Sequence, residues 1–353
     1  MSPFTSSTVM WEKSKWPIKP EVVFEGGNLG HNPNESFLNG YSELEDMITT
    51  CKDFAIGKSL IATNMTSPAT AQAAWMLANI QHNCPNLWPE TIRGLLVHSA
   101  TWTDEMLRTF IPASHVTKND YRNLIRVCGY GIPYLERAVY SARNSVNLII
   151  EDELQPFVKK SGGNITSNEM HMHDIPWPTD ILKSLGEKTV KMRVTLSYYI
   201  EPGPGQIGWK DKYRYPSCGL VFDVNNPTES KEEFKRRISK AMRDEDEDKG
   251  TVSNDSGRWL IGSQNRNVGS IHSDIWEGTA VDLSQSNYIM VYPSTGWWKL
   301  RTNQKKYNNK VRYSLIVSIE TSESTVDLYN EITTAIKNRV VVKTEITAIT
   351  KKK

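Results

Sequence analysis

The stretch "NMTSPATAQAAW" (residues 64–75) sets a hydroxyl, Ser67, at the start of an Ala-rich run that predicts a helix, with Asn64, Thr66 and Pro68 around it. A serine in the first helical turn stands among backbone N–H groups that have no intrahelical partner, over the positive end of the helix dipole. That setting suits two roles. The hydroxyl can cap the helix, or it can act as a nucleophile whose oxyanion is met by the same N–H groups. A serine hydroxyl becomes a nucleophile only when a neighbouring base takes its proton and a carboxylate orients that base. The small side chains at Ala69, Ala71, Ala73 and Ala74 leave little between this helix and whatever packs on it, so a buried helix is expected.

Other residues have the types needed for chemistry. "EMHMHDIPWP" (169–178) places His171 and His173 on one face if the segment is a strand, where a metal would use them with Asp174 or another carboxylate. No third ligand is evident from the sequence, so a structural role is preferred. His272 and Asp274 in "SIHSDIWEGTA" stand in the same relation, and a structural role is preferred for them too. His98, at the end of "GLLVH", reads as a satisfied histidine of a core helix rather than a base. "DEDED" (244–248) lacks the spaced ligands and glycine of a calcium loop and reads as a solvated loop. "GWW" (296–298), among 11 tryptophans, reads as aromatic packing, with a protein-binding surface as the alternative. The chain contains no Gly-x-Ser-x-Gly elbow.

The elements that must position these residues change character along the chain. Residues 1–146 alternate helix with short apolar segments. "PEVVFEGG" is expected as a strand ending in a glycine turn, and "KSLIATN" as a second strand running into Ser67. The Ser67 helix is expected to end near His82, before Pro85. Pro89 opens another helix in "WPETIRGLLVHSA", and "GYGIPYLERAVYSA" supplies a glycine turn and a third. Residues 147–353 carry period-2 segments: "KTVKMRVTLSYYI", with Val190, Met192, Val194 and Leu196 on one face of a half-buried strand, then "YPSCGLVFDVN", "GRWLIGS", "NYIMVYPS" and "RYSLIVSIET". An antiparallel β-sandwich or jelly roll is expected, interrupted by one helix at about 230–246 with Ser230 as its cap, and closed by the basic tail "ITKKK".

The bulk numbers exclude little. In 353 residues, 38% are hydrophobic and 23% charged, and the net charge is +2, so an ordinary globular protein of two domains is expected. No basic cluster interleaved with aromatics points to nucleic acid, and no apolar run is long enough for a membrane span. The four cysteines show no CxxC spacing, which gives no zinc site and no disulfide framework. Reduced thiols point to the cytoplasm, as does an Asn64-Met65-Thr66 sequon that would be glycosylated in a eukaryotic secretory pathway.

"TSPATA" (66–71) resembles the nucleophile motif of the subtilisin-like serine peptidases (peptidase family S8), Gly-Thr-Ser-x-Ala-x-Pro at the head of a long helix. "KPEVVFEGG" (19–27) is similar to the family's Lys-Pro-Asp-Val-x-x-Pro-Gly segment. "CPNLWPETIRGLLVHSA" (84–100) resembles its Pro-x-x-[Ser/Thr]-Pro-x-x-[Ile/Val]-[Arg/Lys]-x-x-Leu stretch, and "GYGIPYLERAVYSA" (129–142) its closing Gly-x-Gly segment. "KMRVTLSYYIEPGPG" (191–205) looks like the opening strand of the sandwich appended to large subtilases. Two departures stand out: the family's glycine before Thr-Ser is Met65, and the proline after Ala-x is Ala71.

The resemblance implies an α/β fold, a partial subtilisin-like parallel sheet with helices over 1–146, followed by the β-sandwich of 147–353. It implies serine endopeptidase chemistry on a polypeptide substrate, with Ser67 as nucleophile and its backbone N–H in the oxyanion hole. The family's chain order of Asp, His, Ser cannot be met here, because only His31 precedes Ser67 and the first aspartate is Asp46. The upstream oxyanion asparagine has no counterpart either. The expectation is therefore the C-terminal portion of a catalytic domain, inactive alone, whose missing half is lost or supplied by another chain. The sheet that "VVF" and "LIAT" join would then have exposed edges. The alternative is a non-catalytic protein-binding module carrying a peptidase relic. The resemblance extends to intracellular bacterial subtilases found beside an AAA-type ATPase, which implies that partner. It implies no cofactor beyond the structural calcium that many subtilases bind.

Overall fold

The computed structural model describes residues 2, 4–10, 17–31, 38–39, 46–143, 147–203, 215–246, 257–321 and 342–347. The tail "ITKKK" and residues 247–248 of the acidic run lie outside them. The chain divides into two compact units: residues 1–13, 18–86 and 99–139, and residues 14–17, 87–98 and 140–353. Among the described residues no helix is long and apolar enough to cross a membrane.

The first unit begins with two short antiparallel pairs, β1 (Gly30–His31) with β2 (Leu38–Asn39) and β3 (Met47–Thr50) with β4 (Leu60–Thr63). Helix α1 (Thr66–Asn83) follows, then α2 (Pro89–Ser99), whose residues up to His98 belong to the second unit, then α3 (Asp104–Phe110), α4 (Lys118–Cys128) and α5 (Leu135–Arg143), whose residues from 140 on belong to the second unit. Local chemistry sets several of these boundaries. Pro89 opens α2, Thr103 caps α3, and Thr117 with Asp120 forms a capping box on α4.

Three expectations are corrected here. "PEVVFEGG" is not a strand: the Val23 N–H donates to the Gly131 carbonyl and Tyr130 N–H to that of Glu21, a turn-to-turn contact rather than a ladder. "LIAT" is a strand, but its described partner is the antiparallel β3, and every described strand pair in the chain is antiparallel. Helix α1 is not buried. Only Met76 and Ile80 are, whereas Ala71, Ala74, Trp75 and Ala78, one stripe at helical spacing, are exposed, because no described element of the unit packs on them.

In the second unit, β5 (Asn147–Leu154), β6 (Phe157–Lys159), β7 (Ile165–Ser167), β8 (Glu169–Asp174), α6 (Thr179–Leu185), β9 (Thr189–Tyr198) and β10 (Gly219–Val224) lead to α7 (Lys231–Asp246). The rest comprises α8 (Ser263–Arg266), β11 (Ile271–Thr279), α9 (Ala280–Gln285), β12 (Tyr288–Ser294), α10 (Trp297–Leu300), β13 (Val311–Thr321) and β14 (Val342–Thr347). Two four-stranded sheets result, ordered β10-β12-β8-β14 and β11-β9-β13-β5. Val194, Leu196, Leu315 and Val317 of one sheet share a core with Leu220, Phe222, Ile289 and Val291 of the other, which makes the unit a β-sandwich. Each such side chain contributes about 1.5–3 kcal/mol on burial.

Helices close both outer faces. On α7, Phe234, Ile238 and Met242 at i, i+4, i+8 cover Met170, Met172 and Met290. On the other side α2 lies over Thr195, Ser197 and Ser318, so β9 is buried on both faces rather than half-buried as its alternation suggests. Gly94 permits this approach, since a Cβ there would lie 2.9 Å from Ile316 Cδ1. Glu151 accepts from the Trp88 N–H and the Thr91 hydroxyl at the head of α2.

"GRWLIGS" forms only an isolated bridge, Trp259 to Trp276, because it bends so that Ile261 and Gly262 N–H reach the Asp274 carboxylate. Asp244 to Asp246 end α7 instead of forming a loop, and Asp246 accepts from Ser167 and Lys299. Trp297 and Trp298 are buried, with their indole N–H groups on the Glu201 carbonyl and carboxylate.

Candidate functional site

Ser67 is the second residue of α1 and is exposed. The cap position belongs to Met65, which makes no side-chain cap bond, so the geometry removes the capping role for Ser67. Met65 holds φ 82° and ψ −160°, a region in which only glycine is unstrained, so the backbone here keeps a glycine conformation under a methionine side chain.

The turn before the helix is braced from two directions. The Asn64 side-chain amide donates to Asp46 Oδ1 at 2.9 Å, and Gln72 Nε2 donates to the Glu25 carbonyl at 2.6 Å. Gly26 packs so closely that a Cβ there would lie 2.4 Å from the Met65 carbonyl oxygen. Thr66 begins the helix and its carbonyl accepts from Thr70 Oγ1 at 2.9 Å, while Pro68, the third residue, has no N–H to satisfy.

Two of the segments quoted for the family resemblance, 19–27 and the Gly-Tyr-Gly turn at 129–131, meet within this unit. Gly129 (φ 57°) lies against the carbonyls of Pro20 and Glu21, and Gly131 (φ 99°) against that of Thr101, each too close to admit a side chain. Thr101 and Ile132 exchange backbone hydrogen bonds of 2.9 and 2.8 Å. Segment 19–27 thus touches both the turn before Ser67, through Gly26, and the Gly-Tyr-Gly turn.

No base is joined to the serine. Ser67 Oγ makes no hydrogen bond among the described residues. His82 lies at the far end of α1, and His31 is in the two-residue strand β1. Asp46, which comes before Ser67 in the chain, is engaged with Asn64.

In the second unit His98 is fully buried. Its Nδ1 lies 2.9 Å from Thr195 Oγ1 and its Nε2 2.8 Å from Ser318 Oγ, with Arg193 donating to its carbonyl, so it fastens α2 to the sheet. His272 and Asp274 diverge. Asp274 accepts from Arg266 (3.0 Å), Ile261 N–H and Gly262 N–H, whereas His272 Nε2 lies 3.3 Å from the Gly269 carbonyl. Burial pushes the His272 imidazole down to about 3, and Arg266 and Arg93 add to this against the opposing Gly269 contact. It is a neutral packing residue, seated edge-on against Tyr198.

His171 and His173 do share a face, but Asp174 is not their partner. It faces Lys231 on the outside, and the carboxylate beside them is Asp152 of β5, in the opposite sheet. Nothing in the sequence around 171–173 names that residue. Cys51, Cys84, Cys128 and Cys218 are all free, and burial raises the Cys218 thiol to about 12, which keeps it un-ionised.

Residues 1–131 match the model of the subtilase family, Peptidase_S8. The match supports a subtilisin-like peptidase region over this stretch and, at the level of the family, chemistry of the subtilase type. No curated protein matches the chain.

Proposed function

We propose that the chain contributes the nucleophile of a subtilase-type serine endopeptidase. Ser67 Oγ attacks the scissile carbonyl of a polypeptide substrate, and the Ser67 backbone N–H, at the positive end of α1, donates one hydrogen bond to the oxyanion. The observation that carries this is the exposed Ser67 in the first turn of an 18-residue helix, behind a residue held in a glycine conformation. The proton leaving Oγ needs an imidazole, and that imidazole needs a carboxylate. His31 is the sole histidine before Ser67 and no aspartate precedes it, so the family order is not met within the 353 residues. Aspartate and histidine then come from polypeptide beyond these residues, the second oxyanion donor with them, and the chain alone does not turn over. The reading extends to a cytoplasmic setting and an AAA-type ATPase as partner.

The second reading is a protein-binding module with a peptidase relic. Fluorophosphonate labelling separates the two. The chain is prepared alone and with a subtilase N-terminal half bearing the missing aspartate and histidine, each with Ser67→Ala as control. Labelling that needs both halves and vanishes in the alanine variant supports the nucleophile. Folded preparations that stay unlabelled in both cases overturn it.

A further inference from the structure

The geometry points to a second site: Asp152, His171, His173 and Tyr313 form a binding site for a divalent transition-metal ion of the zinc type, clamping the two sheets of the second unit together. The strand β8 alternates, sending Met170 and Met172 to α7 and His171 and His173 into the space between the sheets. From the opposite sheet, Asp152 of β5 and Tyr313 of β13 are directly paired in register. One ligating atom from each of Asp152, His171 and His173 lies within 4.8 Å of the others. Tyr313 Oη sits 2.8 Å from His171 Nδ1 and 2.8 Å from His173 Nε2, marking the point on which both rings converge.

The surroundings of His171 add to the geometry. Its ring is fully buried and lies between two carboxylates, with Nδ1 3.3 Å from Asp152 Oδ2 and Nε2 3.8 Å from Glu169 Oε2. Among the described residues Nε2 makes no hydrogen bond. A cation between Nδ1 and Asp152 would be held by both, with Nε2–H facing Glu169, the carboxylate–histidine–metal arrangement that orients many metal-bound rings.

The donor set fits an ion of this class. Two imidazoles with a carboxylate and a phenol oxygen suit zinc and its first-row neighbours better than calcium or magnesium, which take oxygen ligands. Tetrahedral bonds of about 2.0–2.1 Å require ligand atoms about 3.4 Å apart. His171 Nδ1 and Asp152 Oδ2 already stand at 3.3 Å, whereas Tyr313 Oη, hydrogen-bonded at 2.8 Å to each imidazole, draws back by about 0.6 Å to enter the shell. The side chains of Asp152 and Glu169 are 18% and 26% exposed, which gives the ion a path in.

The test uses the full chain. After chelator treatment, zinc is titrated in while metal content and thermal unfolding are followed, with Asp152→Asn and His173→Gln alongside. Cobalt replaces zinc in a parallel sample, because tetrahedral cobalt has intense visible bands. The expectation is one zinc per chain and strong cobalt bands. Zinc at about a hundredfold above its Kd should raise the unfolding midpoint by roughly 5–10 °C. Both variants should lose the zinc response, and Ser67→Ala should keep it, so this outcome does not depend on peptidase chemistry. If the variants fail to fold, the cobalt spectrum of the unaltered chain decides. Folded unaltered protein with no bound zinc, no midpoint shift and no cobalt bands overturns the site and leaves the His171–Tyr313–His173 hydrogen-bond network as packing between the sheets.

Discussion

The strained turn before Ser67 offers a sign test. Met65 sits at φ 82°, ψ −160°, where a side-chain-bearing residue costs about 1–3 kcal/mol. Met65→Gly releases that strain but also removes a side chain, so the proper reference is Met65→Ala, which loses the same contacts and keeps the strain. Glycine costs roughly 0.5–1 kcal/mol more than alanine through the entropy of the unfolded chain. Subtraction leaves the glycine variant more stable than the alanine variant by about 1 kcal/mol. At an ordinary negative φ the order would be reversed. Urea unfolding read by amide exchange in α1 measures the difference: with a slope of about 2 kcal/mol/M, the glycine variant's midpoint should lie about 0.5 M higher at unchanged slope. A glycine variant equal to or less stable than the alanine variant refutes the strain. The contact from the other side gives a companion check, since Gly26→Ala drives a Cβ to 2.4 Å from the Met65 carbonyl and should destabilise the same helix start.

Two further outcomes concern the sandwich. The folded-state pKa of His272, near 3, lies below the unfolded value of about 6.5, so its stabilisation is complete above pH 6.5 and is lost as pH falls toward 3. Two pH units within that window, from about 6.5 to about 4.5, should remove about 2 kcal/mol of stability in the unaltered chain and much less in His272→Phe; equal pH slopes would sink this account. The buried pair of Arg266 and Asp274 should behave asymmetrically. Arg266→Met strands a buried carboxylate at a cost of about 3–5 kcal/mol. The double variant with Asp274→Asn should recover about 1–3 kcal/mol by removing the charge while leaving an acceptor for one of the two N–H groups of Ile261 and Gly262. Additive losses in chemical denaturation would contradict it.

Much of this protein is determined by signals a few residues long. Pro89 at a first helical turn, Ser230 facing Glu233 before α7, and the alternation of Val190, Met192, Val194 and Leu196 are local statements, and the elements follow them. The Thr-Ser-Pro-Ala-Thr-Ala motif at a helix start is equally local, and so are the glycine turns at Gly129 and Gly131. What lies across the chain was not legible. Asp152 meets His171 because β5 and β8 belong to facing sheets, and the nearer Asp174 points away since side chains alternate along a strand. The hydroxyl face of β9 is buried because α2, far away in sequence, covers it with His98 bonded to Thr195 and Ser318. "VVF" has the composition of a strand, yet the close approach of Gly129 and Gly131 turns it into a brace. Element type depends on neighbours along the chain; partner, register and which face is covered depend on contacts between residues far apart in sequence, and those exist only once the chain has folded.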